Sequence, residues 1–292
     1  MLSSNDIQQA VRQQYMTDET LRIRHETHSR YSMPKVDFPS WVLSYIQWRG
    51  DEWVLDVGCG TGHYYQPLLT QVPGVRYFGV DYSEGMLKKH AAPERTAVSD
   101  AQALPFAPHS FDVVMANHML YHVPDIDHAI KECRRVLKPD GILMTATNSQ
   151  HTMPEFQVLF RRAIVLLSAP GSATPAQPPM PAHSLYSLEN GTRHLARNFY
   201  AVVRYDLPGS FVFPSIEPVM TYLESTRQLR EPQLPRGVVW DDVMMIMRQQ
   251  ITHLINHFGE LTVNKVSGVL IASDKGGFIR EYVQHLKETT LE

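Results

Sequence analysis

Val54-Leu55-Asp56-Val57-Gly58-Cys59-Gly60-Thr61-Gly62 is the stretch that decides how this chain folds. An apolar run delivers the backbone into a turn where three glycines alternate. Glycine gives φ values closed to other residues and lets a ligand lie against the backbone with no Cβ between. The helix expected next, Tyr65 to Gln71, points its free N–H groups and the positive end of its dipole back at the turn. Strand, glycine turn and helix in that order place a ligand at the carboxyl end of the strand. A dinucleotide fingerprint requires glycine where His63 stands. The Asp56 carboxylate also repels a pyrophosphate, whereas it attracts the ammonium group of an amino-acid-like ligand.

Outward from this stretch, strand signals recur at Tyr77–Val80, Thr96–Val98, Phe111–Ala116 and Gly141–Ala146, with helices near Ser83 and from Ile126 to Leu137 between them. That alternation predicts βαβ units and a parallel sheet buried on both faces, an α/β doubly wound fold. After Ser149 the rhythm changes. Pro154 to Ser168 reads as a helix, Ala169 to Pro181 as a Pro/Ala/Gly-rich stretch, and Ser187 to Asn198 as a capped helix. Strands return at Tyr200–Tyr205, with Phe211–Phe213 as a continuation, and within Leu261–Ser273, around helices at Ile216–Ser225 and Trp240–Phe258. The organisation expected is a single domain over 1–292, with N-terminal helices in 1–49 covering the site. A cap insertion is expected at 149–198, between the fifth and sixth strands. The stretch 169–183 is expected to serve as a lid that orders on substrate binding.

Asp81 ends the second strand, about twenty residues past the glycines, where a carboxylate accepts both hydrogen bonds of a ribose diol. Asp100 follows the third strand and can accept from an adenine amine. Tyr82 or Met86 offers a flat or soft surface for the ring.

These motifs, with Leu104-Pro105-Phe106, Ser110-Phe111-Asp112-Val113-Val114, His122-Val123-Pro124-Asp125 and Arg135 to Gly141, resemble the class I S-adenosylmethionine-dependent methyltransferases. The nearest branch contains quinone-biosynthesis and small-molecule natural-product enzymes. The match runs over about residues 50–148, and the rest resembles the family only through late strands and a variable cap. The resemblance implies a mostly parallel seven-stranded sheet with a reversed last strand. It also implies S-adenosylmethionine as cofactor, held at Gly58, Gly60, Asp81, Asp100, Ala101 and Asn117, with Tyr31 as an N-terminal tyrosine near it.

A sulfonium already makes the methyl group a good electrophile. The protein has to hold a nucleophile in line with it, exclude water and remove a proton where the nucleophile carries one. The candidates after the fourth strand are Asn117, His118, Tyr121 and His122, and neutral histidine titrates in the range of a base. His118 and His122 are therefore the catalytic candidates. The His-Val-Pro-Asp segment recurs in this branch whatever the substrate, which suggests that His122 mainly positions the loop. The Asn/Asp-Pro-Pro-Tyr stretch of enzymes acting on nucleic-acid bases is missing after the fourth strand, and two cysteines do not make the thiolate set of arsenic methyltransferases.

The totals narrow the partners. A net charge of −3 with a pI near 6.5 argues against a general electrostatic grip on nucleic acid. The N-terminus does not read as a secretory signal, and the longest mid-chain apolar run, Ala163 to Leu167, is far too short to span a bilayer. Cys59 and Cys133 show neither zinc spacing nor a disulfide framework, which fits a reducing cytoplasm. The fourteen histidines are scattered, so no metal site is expected. Val243, Met247, Ile251, Leu254 and Phe258 follow helical spacing and read as a packing face; Met244 and Met245 widen it toward an adaptable apolar pocket. Arg161, Arg162, Arg193 and Arg197 read as solvated surface in preference to an anion site. The function expected is methyl transfer to O, N or C of a small-molecule metabolite, weighed against a non-catalytic cofactor-binding or scaffold protein of the same fold and, less favoured, a nicotinamide oxidoreductase.

Overall fold

The computed structural model describes residues 19–168 and 185–275. In chain order its elements are α1 (Glu19–Tyr31), β1 (Ser32–Met33), α2 (Phe38–Leu43), β2 (Trp53–Val57), α3 (Tyr65–Gln71), β3 (Arg76–Asp81), α4 (Glu84–Leu87) and β4 (Thr96–Val98). There follow β5 (Phe111–Met115), α5 (Ile126–Val136), β6 (Leu137–Asn148), α6 (Pro154–Leu167), α7 (Leu188–Ala196), β7 (Ala201–Phe213), α8 (Ile216–Glu224), α9 (Arg227–Arg230), α10 (Trp240–Phe258) and β8 (Leu261–Ser273).

One sheet joins all eight strands in the order β1-β7-β8-β6-β5-β2-β3-β4. The run from β4 to β6 is parallel, and β8 enters antiparallel beside β6, which is the reversed last strand expected. The count is eight and not seven. The extra strand is β1, two residues long, paired Ser32↔Phe211 and Met33↔Ser210 on the outer side of β7. Two residues carry no periodicity, so the sequence shows only a break there. β7 and β8 also pair without interruption from Ala201↔Ser273 to Phe213↔Leu261, through Pro208 and Gly209. β7 tolerates that proline because its outer side carries only β1.

The parallel strands are apolar throughout because both faces are covered. In register, Val54, Val113, Met144 and Ile271 turn to one face, onto α2 and α3 through Val42, Leu43 and Leu68. Leu55, Val114 and Leu143 turn to the other, onto α5 and α7 through Ile130, Cys133, Leu188 and Leu195. The far ends of β7 and β8 project past this sandwich and build a third core. Phe211, Phe213 and Val263 meet Phe156 and Phe160 of α6, Val219 and Leu223 of α8, and Trp240, Val243 and Met247 of α10.

The segment 149–198 is thus divided. α6 joins this third core, whereas α7 covers the main sheet, and α8 and α10 supply material for the cap that lies well beyond residue 198. The Pro/Ala-rich stretch 169–183 lies outside the described residues. The α10 stripe packs through Val243, Met244, Met247 and Ile251, and ends before Phe258, which is exposed. No described helix is long and apolar enough to cross a membrane.

Candidate functional site

The carboxyl ends of β2, β3, β4 and β5 lie on one edge of the sheet, as parallel strands must, so the loops that follow them converge. They enclose a cavity of about 760 Å³. The glycine turn forms its floor. Gly58 and Cys59 donate to the Val80 carbonyl at 2.7 and 3.0 Å, which ties the turn to β3. Gly60 has φ +55°, and a Cβ there would stand 3.7 Å from its nearest neighbour, Met86 Cε, so its face opens on the cavity. Gly62 differs from expectation. It does not line the cavity; a Cβ there would meet His90 Nε2 at 2.7 Å, so that glycine is required by packing.

Three carboxylates line this cavity, and among its described lining residues there is no Lys or Arg. Asp56 is 2% exposed and accepts from Tyr77 Oη at 3.1 Å. Burial raises its pKa to about 7, the Tyr77 hydrogen bond offsetting part of the effect and Asp81 adding to it. Asp81 accepts from the backbone N–H of Gly60 at 2.9 Å through Oδ2 and of Ser83 at 2.8 Å through Oδ1. The Tyr82 N–H acts on the same carboxylate, so three backbone donors hold it in place at the cavity wall. Burial raises this carboxyl too, against those N–H bonds. Asp100 is oriented by the Gln102 N–H at 2.8 Å, beside Ala101. Tyr82, half-exposed, and Met86, buried, complete the wall on that side.

Asn117 and His118 follow β5. Asn117 Oδ1 accepts from Ala146 N at 2.8 Å, whereas its buried Nδ2 has no hydrogen-bond partner among the described residues. A buried donor left so costs about 1–3 kcal/mol unless a ligand satisfies it. His118 stands at φ +54°, uncommon for a residue with a Cβ, with its N–H fixed on Ala146 O at 2.8 Å. His122 ends a short 3-10 turn, Leu120–His122.

A second cavity, of about 600 Å³, lies against the first under α1, the 34–39 loop and the cap. Both cavities are lined by Leu21, His25, His63, His118 and His122, so these five side chains form the junction. His25 stacks on His63 with centroids 4.0 Å apart. Enclosure takes His25 down to about 3, with His63, His118 and Arg24 adding to the shift, and takes His122 to about 3 with help from Arg24 and His118. His63 and His28 are lowered as well, chiefly by burial. His25, His63 and His122 therefore meet the junction as neutral imidazoles. Among the described residues no three His, Cys, Asp or Glu side chains converge as a metal site.

Tyr31 is a correction. Its ring packs on Phe213 at 5.1 Å in the third core, and it lines neither cavity. α1 reaches the first cavity through Leu21 and His25 instead. The sequence does not single out His25 and His28, and marks His63 only as the residue that breaks a dinucleotide fingerprint. The signal available was Leu21, Arg24, His25 and His28 at spacings of three and four, one face of a helix otherwise read only as polar.

The ligand that fits the first cavity is rich in hydroxyl and amine donors and carries a cation. Acidic oxygens, an open glycine face and an orphaned amide N–H suit it, and a phosphate has no cation there to meet.

Comparison with known proteins agrees. Residues 55–145 match the family described as a methyltransferase domain. A demethylmenaquinone methyltransferase of Staphylococcus aureus is 41% identical over 113 residues, 36% of this chain and 47% of that protein. The chain thus spans about half the length of the curated relatives it matches. Among solved structures, phosphoethanolamine N-methyltransferase 2 of Haemonchus contortus superposes with a TM-score of 0.54 at 18% identity, over 94% of this chain and 61% of that one. The YcgJ protein of Bacillus subtilis superposes with a TM-score of 0.51 at 19% identity, over 82% of this chain and 100% of that one. At such identities the structural likeness establishes the fold.

Proposed function

We propose, from the premise that this chain carries a methyltransferase domain of the class I S-adenosylmethionine-dependent kind over residues 55–145, that it transfers a methyl group to an oxygen, nitrogen or carbon of a small molecule held in the second cavity. The observation that carries this reading is the shared wall: one cavity suited to the cofactor opens, across His25, His63, His118 and His122, on another large enough for an acceptor. A protein that only binds the cofactor has no use for that second chamber.

Bound in the first cavity, S-adenosylmethionine supplies a methyl group made electrophilic by its sulfonium. Asp81 would accept the ribose hydroxyls, Asp100 the adenine amine with Met86 and Ala101 beside the ring, and Asp56 would receive the ammonium group. Asn117 Nδ2 donates to an acceptor atom of the ligand. At the junction, neutral imidazoles do not repel a cationic sulfur as protonated ones would. With its pKa near 3, His122 is too weak a base to take a proton at neutral pH, so it orients the acceptor. The role of base falls to His118, which the left-handed backbone turns into the junction. α1, the 34–39 loop and the cap close the second cavity and keep water from the transfer.

The test is incubation with methyl-labelled S-adenosylmethionine and an extract of the source organism, with calorimetry in parallel. The expected result is a labelled small molecule, with binding of S-adenosylhomocysteine and not NAD. Binding of NAD with no response to either sulfur nucleotide would sink the reading.

A further inference from the structure

We propose that Tyr77 and His90 are positioning residues for the amino-acid end of the cofactor: a chain of hydrogen bonds from the Ala92 backbone through both side chains holds Asp56 as a carboxylate ready for an ammonium group. This rests on the reading of the first cavity as the S-adenosylmethionine site. Asp56 lines that cavity, whereas Tyr77 and His90 stand behind it. All three residues are at most 4% exposed, so water does not compete for their hydrogen bonds.

The outer end of the chain fixes its direction. His90 Nδ1 accepts from the Ala92 N–H at 3.0 Å, so the proton of the neutral ring is on Nε2. Nε2 then donates to Tyr77 Oη at 3.0 Å, which leaves the tyrosine's own proton for Asp56 Oδ2 at 3.1 Å. Cys59 also meets the Tyr77 hydroxyl, but a thiol is a weak acceptor beside a carboxylate. Each donor is polarised by the one behind it, which strengthens the last bond of the chain. Room for the chain is built into the backbone. A Cβ on Gly62, within the glycine turn, would stand 2.7 Å from His90 Nε2, and one on Gly79 would stand 2.8 Å from Tyr77 Oη. Gly79 is also the register partner of Asp56, so the hydroxyl lies where the two strands meet. Burial opposes charge on Asp56, and the Tyr77 bond opposes burial. Two apolar side chains could fill the same space, but neither would supply a donor to the charged carboxylate. The other titratable groups that act on Asp56 are Cys59, Tyr64 and Asp81, all raised by burial.

The test is calorimetry on the full-length protein with two probes that share adenosine and sulfur. S-adenosylhomocysteine carries the ammonium group, and 5′-methylthioadenosine lacks the amino-acid end. Asp81 serves the ribose common to both, so its titration cancels in the ratio of their affinities. Tyr77→Phe should weaken S-adenosylhomocysteine roughly tenfold at neutral pH and leave methylthioadenosine within about twofold of the parent. The loss should shrink towards about pH 9, where Asp56 is charged with or without the hydroxyl. In an Asp56→Asn background Tyr77→Phe should leave the ratio unchanged. His90→Leu should give a smaller loss of the same kind, and His90→Gln, which keeps a donor near the Nε2 position, should restore most of it. If Tyr77→Phe folds too weakly to titrate, the two His90 variants make the same comparison. A loss equal for both ligands or constant with pH, as a distorted pocket would give, overturns the proposal; so does a ratio that no variant moves. If neither nucleotide binds the parent protein, the cofactor reading itself falls. If both bind and only the ratio fails to respond, that reading stands and this one falls.

Discussion

The two cavities are opposites built by different means. The first is acidic, lined by Asp56, Asp81 and Asp100, and all three come from strand ends or the loops directly after them, between residues 56 and 100. The second is lined by basic side chains, and its Arg24 is brought to Arg230 and Lys265 from more than two hundred positions away. One is fixed by a sheet that presents consecutive strand ends to a single edge. The other exists only because α1 and the cap fold over the projecting ends of β7 and β8. The first should therefore hold its shape on its own, whereas the second should depend on the cap.

The largest effect expected tests that dependence. Phe160 is fully buried in the cap, against Trp240 and beneath Arg230. Phe160→Ala should cost about 3–5 kcal/mol of stability by chemical denaturation, through lost transfer energy and the cavity left behind. At temperatures where the variant is folded, its S-adenosylhomocysteine affinity should stay within about twofold of the parent, since the sites share no partners. Loss of cofactor binding along with the cap would show that the two chambers are one cooperative unit.

Next in size is Asp81→Ala. It removes charge-assisted hydrogen bonds to the ribose and should weaken S-adenosylhomocysteine binding by about 1–3 kcal/mol. The same substitution frees the Gly60 N–H, whose partner is Asp81 Oδ2, so part of the loss reflects a looser turn. An unchanged dissociation constant in a folded variant removes Asp81 from the site.

The same contrast explains what the sequence made legible. From Val54 to Gly62, and again at Asp81 and Asp100, chemistry and local structure coincide: a strand end, a glycine turn and a carboxylate are neighbours in the chain. The parallel core could be read for that reason, and the acidic cavity with it. Tyr31 was placed by resemblance and not by a local signal, and it packs in the cap instead. Gly62 looked like its companions because the motif alternates, yet what demands it is His90, a contact made from twenty-eight residues away. The basic cavity has no local signature at all. Arg24 and Arg230 read as ordinary helix arginines beside Arg22 and Arg227, Lys265 sits alone, and the arginines that the sequence did single out behave as surface: Arg197 pairs with Asp127. β1 is lost in a Pro-containing break, whereas the far end of β7 is legible at Phe211–Phe213, and only the join through Pro208 and Gly209 is hidden.

The smallest effect expected is also the sharpest test of the contrast, because pH should move the two cavities in opposite directions. Asp56 has a folded pKa of about 7, raised from 3.8 chiefly by burial. A raised pKa means that its contribution to folding is fully present below the unfolded value and is lost as pH rises through about 7. A ligand ammonium favours the charged carboxylate, so binding releases the proton, and affinity for S-adenosylhomocysteine should rise by roughly tenfold between about pH 6 and 8. Of the groups facing Asp56, Tyr77 and Cys59 are pushed up by burial and stay protonated across that window, while His90, bonded to Tyr77, is lowered and stays neutral. Asp56→Asn should flatten the rise. Lys265 titrates the other way: its pKa of about 8 lies below the usual lysine value, so its charge is lost as pH rises through about 8. Together the two give kcat/KM a bell shape whose acid limb belongs to the cofactor cavity and whose alkaline limb belongs to the acceptor cavity. If Asp56→Asn leaves the acid limb in place, or Lys265→Met the alkaline one, that limb arises elsewhere and the assignment of charge to that chamber is wrong.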